Sequence, residues 1–113
     1  MSKREITLLL DDMLQAARKV KRYTTELDFQ RFVSDERTVD AVVRNFEIIG
    51  EASNRIDKDF KLAHPEIEWR RIRGFRNRIV HDYFGIDYEI VWKIIHTYLD
   101  QLINDLEQII KRY

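Results

Sequence analysis

The part of the chain best equipped for chemistry is Arg76-Asn77-Arg78-Ile79-Val80-His81-Asp82-Tyr83. It gathers a guanidinium that can hold phosphate, an imidazole that transfers protons near neutral pH, and an amide and a phenol that hydrogen-bond. Arg followed five residues later by His is a weak pattern by itself. The combination fits metal-free cleavage of RNA by attack of its own 2′-hydroxyl. That reaction needs a base, an acid and a cation to stabilise phosphorane-like charge. His81 is the one histidine suited to this in each chain, because His64 precedes Pro65 at a helix start and His96 stands in the last helix away from any motif. A symmetric dimer would bring a second His81 and a second Arg76 to one site. Taken singly, these residues have plainer roles. His81 alone reads as a structural hydrogen-bonding residue, and Arg76 as the ion-pair partner of Glu47 or Glu51. Tyr83 alone reads as a packing residue with a wet hydroxyl, and Asn77 as an exposed helix position.

Placed on a helix at about 100° per residue, Arg73, Arg76, Asn77 and His81 share the arc beside a core face of Ile72, Phe75 and Ile79, and Tyr83 falls at that core's edge. Arg76 and His81 would stand about 140° apart, so a regular helix does not converge them. Either the helix loosens near His81, or the two residues grip different parts of a ligand. Pro65 suits the first turn of this segment. Gly74 marks a kink within it, and Gly85 is placed to stop it as a C′ glycine.

The surrounding apolar period is helical almost throughout. Ser2 and Glu5 fit a capping box at the start of a first helix with the stripe Ile6, Leu9, Met13, Ala16, Val20, Tyr23. Residues 25–32 suggest a short helix or turn. Ser34 is expected to cap the next long helix, with Asp35 and Glu36 in its first turn. That helix buries Val39, Val42, Phe46, Ile49 and Ile56 and ends around residues 57–60. Gly50 inside it costs roughly 1 kcal/mol relative to Ala, which a close helix–helix approach would explain. Asp87 caps a final helix with the stripe Val91, Ile95, Tyr98, Leu102, Leu106, Ile109, Tyr113. No segment alternates as a strand does. These features predict an all-α domain over residues 1–113, an antiparallel four-helix bundle with a short extra helix. The polar stripe Arg44, Glu47, Glu51, Asn54 follows helical spacing. Arg44 and Glu47 are carried forward as supports of the Arg76 site, and the others read as a solvated or ion-paired face.

Composition narrows the function classes. The 113 residues carry 20 basic and 20 acidic side chains, so net charge does not announce nucleic-acid binding. Local charge is more telling. Residues 69–81 hold five arginines and no acid, whereas residues 87–113 hold five acids against three bases, an asymmetry able to attract anions locally. The absence of cysteine rules out disulfides, thiolate zinc sites and a cysteine nucleophile. Three isolated glycines build neither a P-loop nor a dinucleotide-binding turn. The two Glu-x-x-His pairs of a di-iron bundle are missing, and a helix-turn-helix reading lacks a clear turn and a separate recognition helix. No cofactor or metal is expected. The longest run free of Asp, Glu, Lys and Arg is six residues, too short for a membrane span, so a soluble cytoplasmic protein is the default expectation.

The string RNRIVHDYFGID, with Arg76, Asn77, His81 and Tyr83, resembles the Arg-x4-His-x-Tyr signature of the HEPN superfamily, and most closely its HepT-like toxin family. The text VVRNFEIIGEASNRI at residues 42–56, the approach from Pro65 to Trp69, and VWKI at residues 91–94 are similar as well, so the resemblance spans nearly the whole chain. It implies a HEPN-like helical bundle that forms a homodimer and cleaves RNA without metal through the Arg and His of both protomers. Arg76 would then bind the scissile phosphate, His81 would transfer protons, and Asn77 would orient one or the other. Arg73 would support substrate binding. The resemblance also implies a partner, an MNT-type nucleotidyltransferase antitoxin, able to transfer AMP to the motif tyrosine, here Tyr83. AMP would add a bulky anion beside Arg76 and His81 and compete with RNA phosphate for the same cations. A rival class is a non-catalytic HEPN-type dimer that binds a nucleotidyltransferase or a nucleotide.

Overall fold

The computed structural model describes residues 1–81 and 85–113, with His81 described by its backbone alone. The long first helix, α1 (Lys3–Thr24), opens where Ser2 Oγ accepts a hydrogen bond from the Glu5 N–H at 3.1 Å, half of the expected capping box. Its face of Ile6, Leu9, Leu10, Met13, Ala17 and Val20 is buried. Tyr23, expected to close this stripe, is instead exposed. The buried position passes to Thr24, four residues after Val20, whose hydroxyl donates to the Val20 carbonyl at 2.8 Å.

A short helix α2 (Phe29–Ser34) and the long α3 (Glu36–Arg55) follow. The cap between them is Asp35, one residue later than expected. Its carboxylate accepts from both the Thr38 hydroxyl and the Thr38 N–H, which hold it below the ordinary carboxylate range. Ser34 ends α2, its hydroxyl turned back to the Gln30 carbonyl. Helix α3 buries Val39, Val42, Phe46 and Ile49 as its periodicity requires. It stops at Arg55, because Ile56 turns extended to bury its side chain and Asp57 caps the separate α4 (Lys58–Ala63). Pro65 then lies in a turn and starts no helix. The arginine-rich stretch begins at Trp69, whose indole N–H donates to the His64 carbonyl at 3.0 Å.

Gly74 divides that stretch into α5 (Trp69–Arg73) and α6 (Phe75–Ile79), as the kink expectation had it. The end of α6 differs from the expectation. Val80 is extended, and β1 (Val80–His81) pairs antiparallel with β2 (Gly85–Ile86), Val80 facing Ile86 and His81 facing Gly85. The Asp87 N–H donates to the Ile79 carbonyl at 2.7 Å and closes the base of this ribbon. Gly85, with φ of 75°, therefore supplies a left-handed residue to a strand pair and does not terminate the helix.

Asp87 caps α7 (Tyr88–Thr97), accepting from the Ile90 N–H. The expected single final helix is broken at Tyr98 and resumes as α8 (Leu99–Arg112). Ion pairs reveal the helix directions. Arg18 meets Glu107 at 3.0 Å and Lys21 meets Asp100, so α1 and α8 run antiparallel. The N-terminal amine lies 3.8 Å from Asp57, so α1 and α3 do too. Among the described residues the architecture is helical apart from one two-residue strand pair, and no helix is long and apolar enough to cross a membrane.

Candidate functional site

Fully buried Ile72, Phe75 and Ile79 seat α5 and α6 on the core. The Phe75 ring meets Phe46 of α3 edge-on at 5.1 Å and Tyr98 at 6.1 Å, a geometry worth about 0.5–1.5 kcal/mol beyond burial. With that face fixed, the positions flanking it stand at the edge of the contact with α3. Arg73, Arg76 and Asn77 line a cleft of about 160 Å³ whose far wall is Glu47, Gly50, Glu51 and Asn54. The structure thus brings together four of the residues singled out from the sequence: Arg73, Arg76, Asn77 and Glu47.

Glu47 is the hinge of the electrostatics. Its carboxylate lies 4.0 Å from Arg76 Nε on one side and 4.0 Å from Arg44 Nη1 on the other. The Arg76 side chain is 62% exposed and Arg44 64%, against 28% for Glu47. Exposed pairs at that separation contribute about 0–1 kcal/mol. Glu47 is thus a loose neighbour of Arg76 that leaves its guanidinium open to another anion. Arg44 reaches this arrangement only through Glu47; it does not line the cleft.

Helix α6 ends at Ile79, and the backbone of His81 belongs to a strand. Of the two expected alternatives, the loosening of the helix before His81 is what the backbone shows. Tyr83, the expected acceptor of AMP, lies outside the described residues, as do Asp82 and Phe84.

Glu51 and Asn54, whose plainer expected role is a solvated or ion-paired face, wall the cleft. Their spacing with Arg44 and Glu47 was the available signal. Which helix would pack opposite that stripe was not written in it. Gly50 confronts the Ile72 carbonyl of α5, but a Cβ added there would sit 3.5 Å from that oxygen, an ordinary contact. The approach is close without being one that only glycine permits.

The five arginines divide by environment. Arg71 turns away from the cleft, pairs with Glu68 at 3.2 Å, and lies 4.2 Å from the centre of the Tyr98 ring. Its Nε is buried without a hydrogen-bond partner among the described residues. Burial pushes the Tyr98 phenol up to about 12, with the Glu68 carboxylate adding to the rise. Tyr98 is accordingly a neutral packing residue at the α7–α8 break. Among the described residues no group of three or more His, Cys, Asp or Glu side chains is arranged to hold a metal ion.

Residues 13–109 match the family described as Ribonuclease HepT-like. A protein of Methanocaldococcus jannaschii, provisionally named an RNase, is 38% identical over 107 residues, covering 95% of this chain and 98% of that protein. A protein of Thermococcus cleftensis named a probable ribonuclease HepT is 39% identical over 102 residues, or 90% of this chain and 93% of its own length. A third relative, from Caldanaerobacter subterraneus and also provisionally named an RNase, is 32% identical over 103 residues, covering 91% of this chain and 92% of that protein. No solved structure matches the chain. With the arginine-lined cleft, the Arg76–His81 spacing and this near full-length similarity in agreement, the chain belongs to the HepT-like ribonuclease family of the HEPN superfamily.

Proposed function

We propose that this protein is the ribonuclease toxin of a toxin–antitoxin pair, acting in the cytoplasm as a homodimer of HEPN-like four-helix domains with a composite active site between the protomers. The observation that carries the reading is the cleft in which Arg73, Arg76 and Asn77 stand together beside the strand that bears His81. Arginine is suited to this task because its planar fork holds phosphate oxygens in two places at once and never loses its charge near neutral pH.

In the proposed reaction one His81 takes the proton of an RNA 2′-hydroxyl. The freed oxygen attacks the adjacent phosphorus, and the bond from phosphorus to the 5′-oxygen of the next nucleotide breaks. His81 of the second protomer gives a proton to that leaving oxygen. The products are a 2′,3′-cyclic phosphate and a 5′-hydroxyl, so atoms and charge balance without a metal ion. Arg76 from each side stabilises the extra negative charge on the phosphorane-like transition state. Asn77 orients His81 or the scissile phosphate, Arg73 supports substrate binding, and Glu47 with Arg44 supports the Arg76 site.

Silencing of this activity is assigned to an MNT-type nucleotidyltransferase partner that transfers AMP from ATP to the Tyr83 hydroxyl. A phenol with a pKa of about 10 is a weak nucleophile at neutral pH, so the partner must bring the activating base. The added phosphate would then compete with RNA for Arg76.

End-labelled RNA incubated with the protein in excess chelator tests the reading. Cleavage to products ending in cyclic phosphate is expected. His81→Ala should lower the rate by about 100-fold or more, the range of a lost general acid–base, with an unchanged circular dichroism spectrum. Wild-type protein that cuts no RNA would leave the non-catalytic interaction module as the better account.

A further inference from the structure

Beyond the cleft, the cationic surface continues along the face of α5 that carries Trp69 and Arg73. These two residues are four apart on one short helix and so project from the same side. Lys61 of α4 lies across that face, its ammonium 5.8 Å from the centre of the Trp69 ring. The indole is itself fixed, by its hydrogen bond to the His64 carbonyl and by edge-on packing against Phe60. Lys61 is half-buried. No carboxylate stands within ion-pair distance of it or of Arg73 among the described residues. Glu66 is engaged with His64 and Arg112, and Glu68 with Arg71; Glu47 and Glu51 share the cleft lining with Arg73, Glu47 beside Arg44 and Arg76.

Two cations held on one face without a shared acid are an uncomfortable arrangement for the protein alone. Burial, and then the positive charge of Arg73, pull the Lys61 ammonium below the ordinary lysine range. An anion between them would remove both penalties at once. Arg73 also belongs to the cleft lining with Arg76 and Asn77, so such an anion would adjoin the phosphate assigned to Arg76.

We propose that Lys61 is an RNA-binding residue that, together with Arg73, grips a backbone phosphate flanking the one held at Arg76. The Trp69 ring is its platform, holding the ammonium in place while leaving it free to pair. The inference rests on the ribonuclease reading above and deepens it by extending the substrate track from α6 across α5 to α4. Recognition of this kind is independent of base identity, because it reads the charged backbone only.

The test measures binding apart from cleavage. Fluorescence anisotropy of a labelled mixed-sequence single-stranded RNA is followed with His81→Ala protein over a series of salt concentrations. Adding Lys61→Gln should weaken binding about five- to tenfold at low salt and flatten the slope of log Kd against log salt by about 0.7, the signature of one lost phosphate contact on a single strand. Lys61→Arg should keep both affinity and slope, and Lys19→Gln on the exposed side of α1 should change the affinity little. A merely structural role for Lys61 would alter the melting curve and leave the slope of the folded protein untouched. RNA binding with wild-type affinity and slope in Lys61→Gln overturns the proposal alone. An absence of any RNA binding or cleavage by the unsubstituted protein overturns the ribonuclease reading and this proposal with it.

Discussion

Arg71 and Arg76 stand five residues apart in one arginine-rich stretch, yet they meet opposite surroundings. Arg71 is tied on two sides, by the Glu68 carboxylate at 3.2 Å and by the face of buried Tyr98. Its charge helps to hold α5 against the break between α7 and α8. Among the described residues Arg76 has one loose partner, Glu47 at 4.0 Å, and most of its surface faces solvent in the cleft. The contrast teaches that a run of like charges is not one functional unit. Whether the neighbour is an aromatic face with a close acid, or an open cleft with a distant one, decides which arginine stabilises the fold and which is left for a ligand.

Substitutions can separate the two roles. The largest effect is expected for Arg76→Ala, which should lower the rate of RNA cleavage by about 100-fold or more through loss of charge stabilisation. Its unfolding free energy should move by less than about 0.5 kcal/mol, because an exposed, distant ion pair contributes little. Arg71→Ala should show the reverse. Loss of the ring contact and the Glu68 pair should cost about 1 kcal/mol, visible as a lower urea midpoint, while the folded protein keeps its cleavage rate. Equal loss of activity in both variants would erase the contrast. The smallest effect is expected at the cleft wall. A methyl at position 50 meets only an ordinary contact with the Ile72 carbonyl, so Gly50→Ala should raise stability by about 0.5–1 kcal/mol through helix propensity. A drop in the urea midpoint would mean that α3 and α5 approach more tightly than this geometry has it.

The parts of this architecture that depend on local chemistry were legible in the sequence. Ser2 and Asp87 cap helices because a short polar side chain can reach a free N–H within its own turn. Periodicity marked Ile72, Phe75 and Ile79 as the buried face, and so turned Arg73, Arg76 and Asn77 outward. Parts set by distant contacts were harder to read. The stripe through Val91, Ile95, Tyr98 and Leu102 runs unbroken across the end of α7, because Tyr98 is itself buried and no Gly or Pro announces the break. A pairing of two residues with two residues is too brief for any alternation to show, so β1 and β2 passed as helix and turn. Helical spacing puts Glu51 and Asn54 on one stripe with Glu47, but whether that stripe meets solvent or a cleft depends on α6 packing opposite it, a distant contact that spacing does not encode. Lys61 gave no signal at all, since its meaning comes from Trp69 and Arg73, which lie beyond a turn. The nucleotidyltransferase partner and the proposed role of Tyr83 are implied by family resemblance alone, whereas the expectation of a dimer also follows from the single suitable histidine in each chain.

The central claim is that two protomers complete one RNA-cutting site, and subunit mixing tests it most directly. Wild-type protein is co-refolded with an inactive Arg76→Ala, His81→Ala chain at a constant total concentration, and cleavage is measured as the wild-type fraction falls. If every active site needs both protomers intact, an equal mixture retains about one quarter of the wild-type rate, following the population of wild-type pairs. Retention of about one half, falling in direct proportion to wild-type chain, would mean that each protomer cuts RNA alone and would contradict the account.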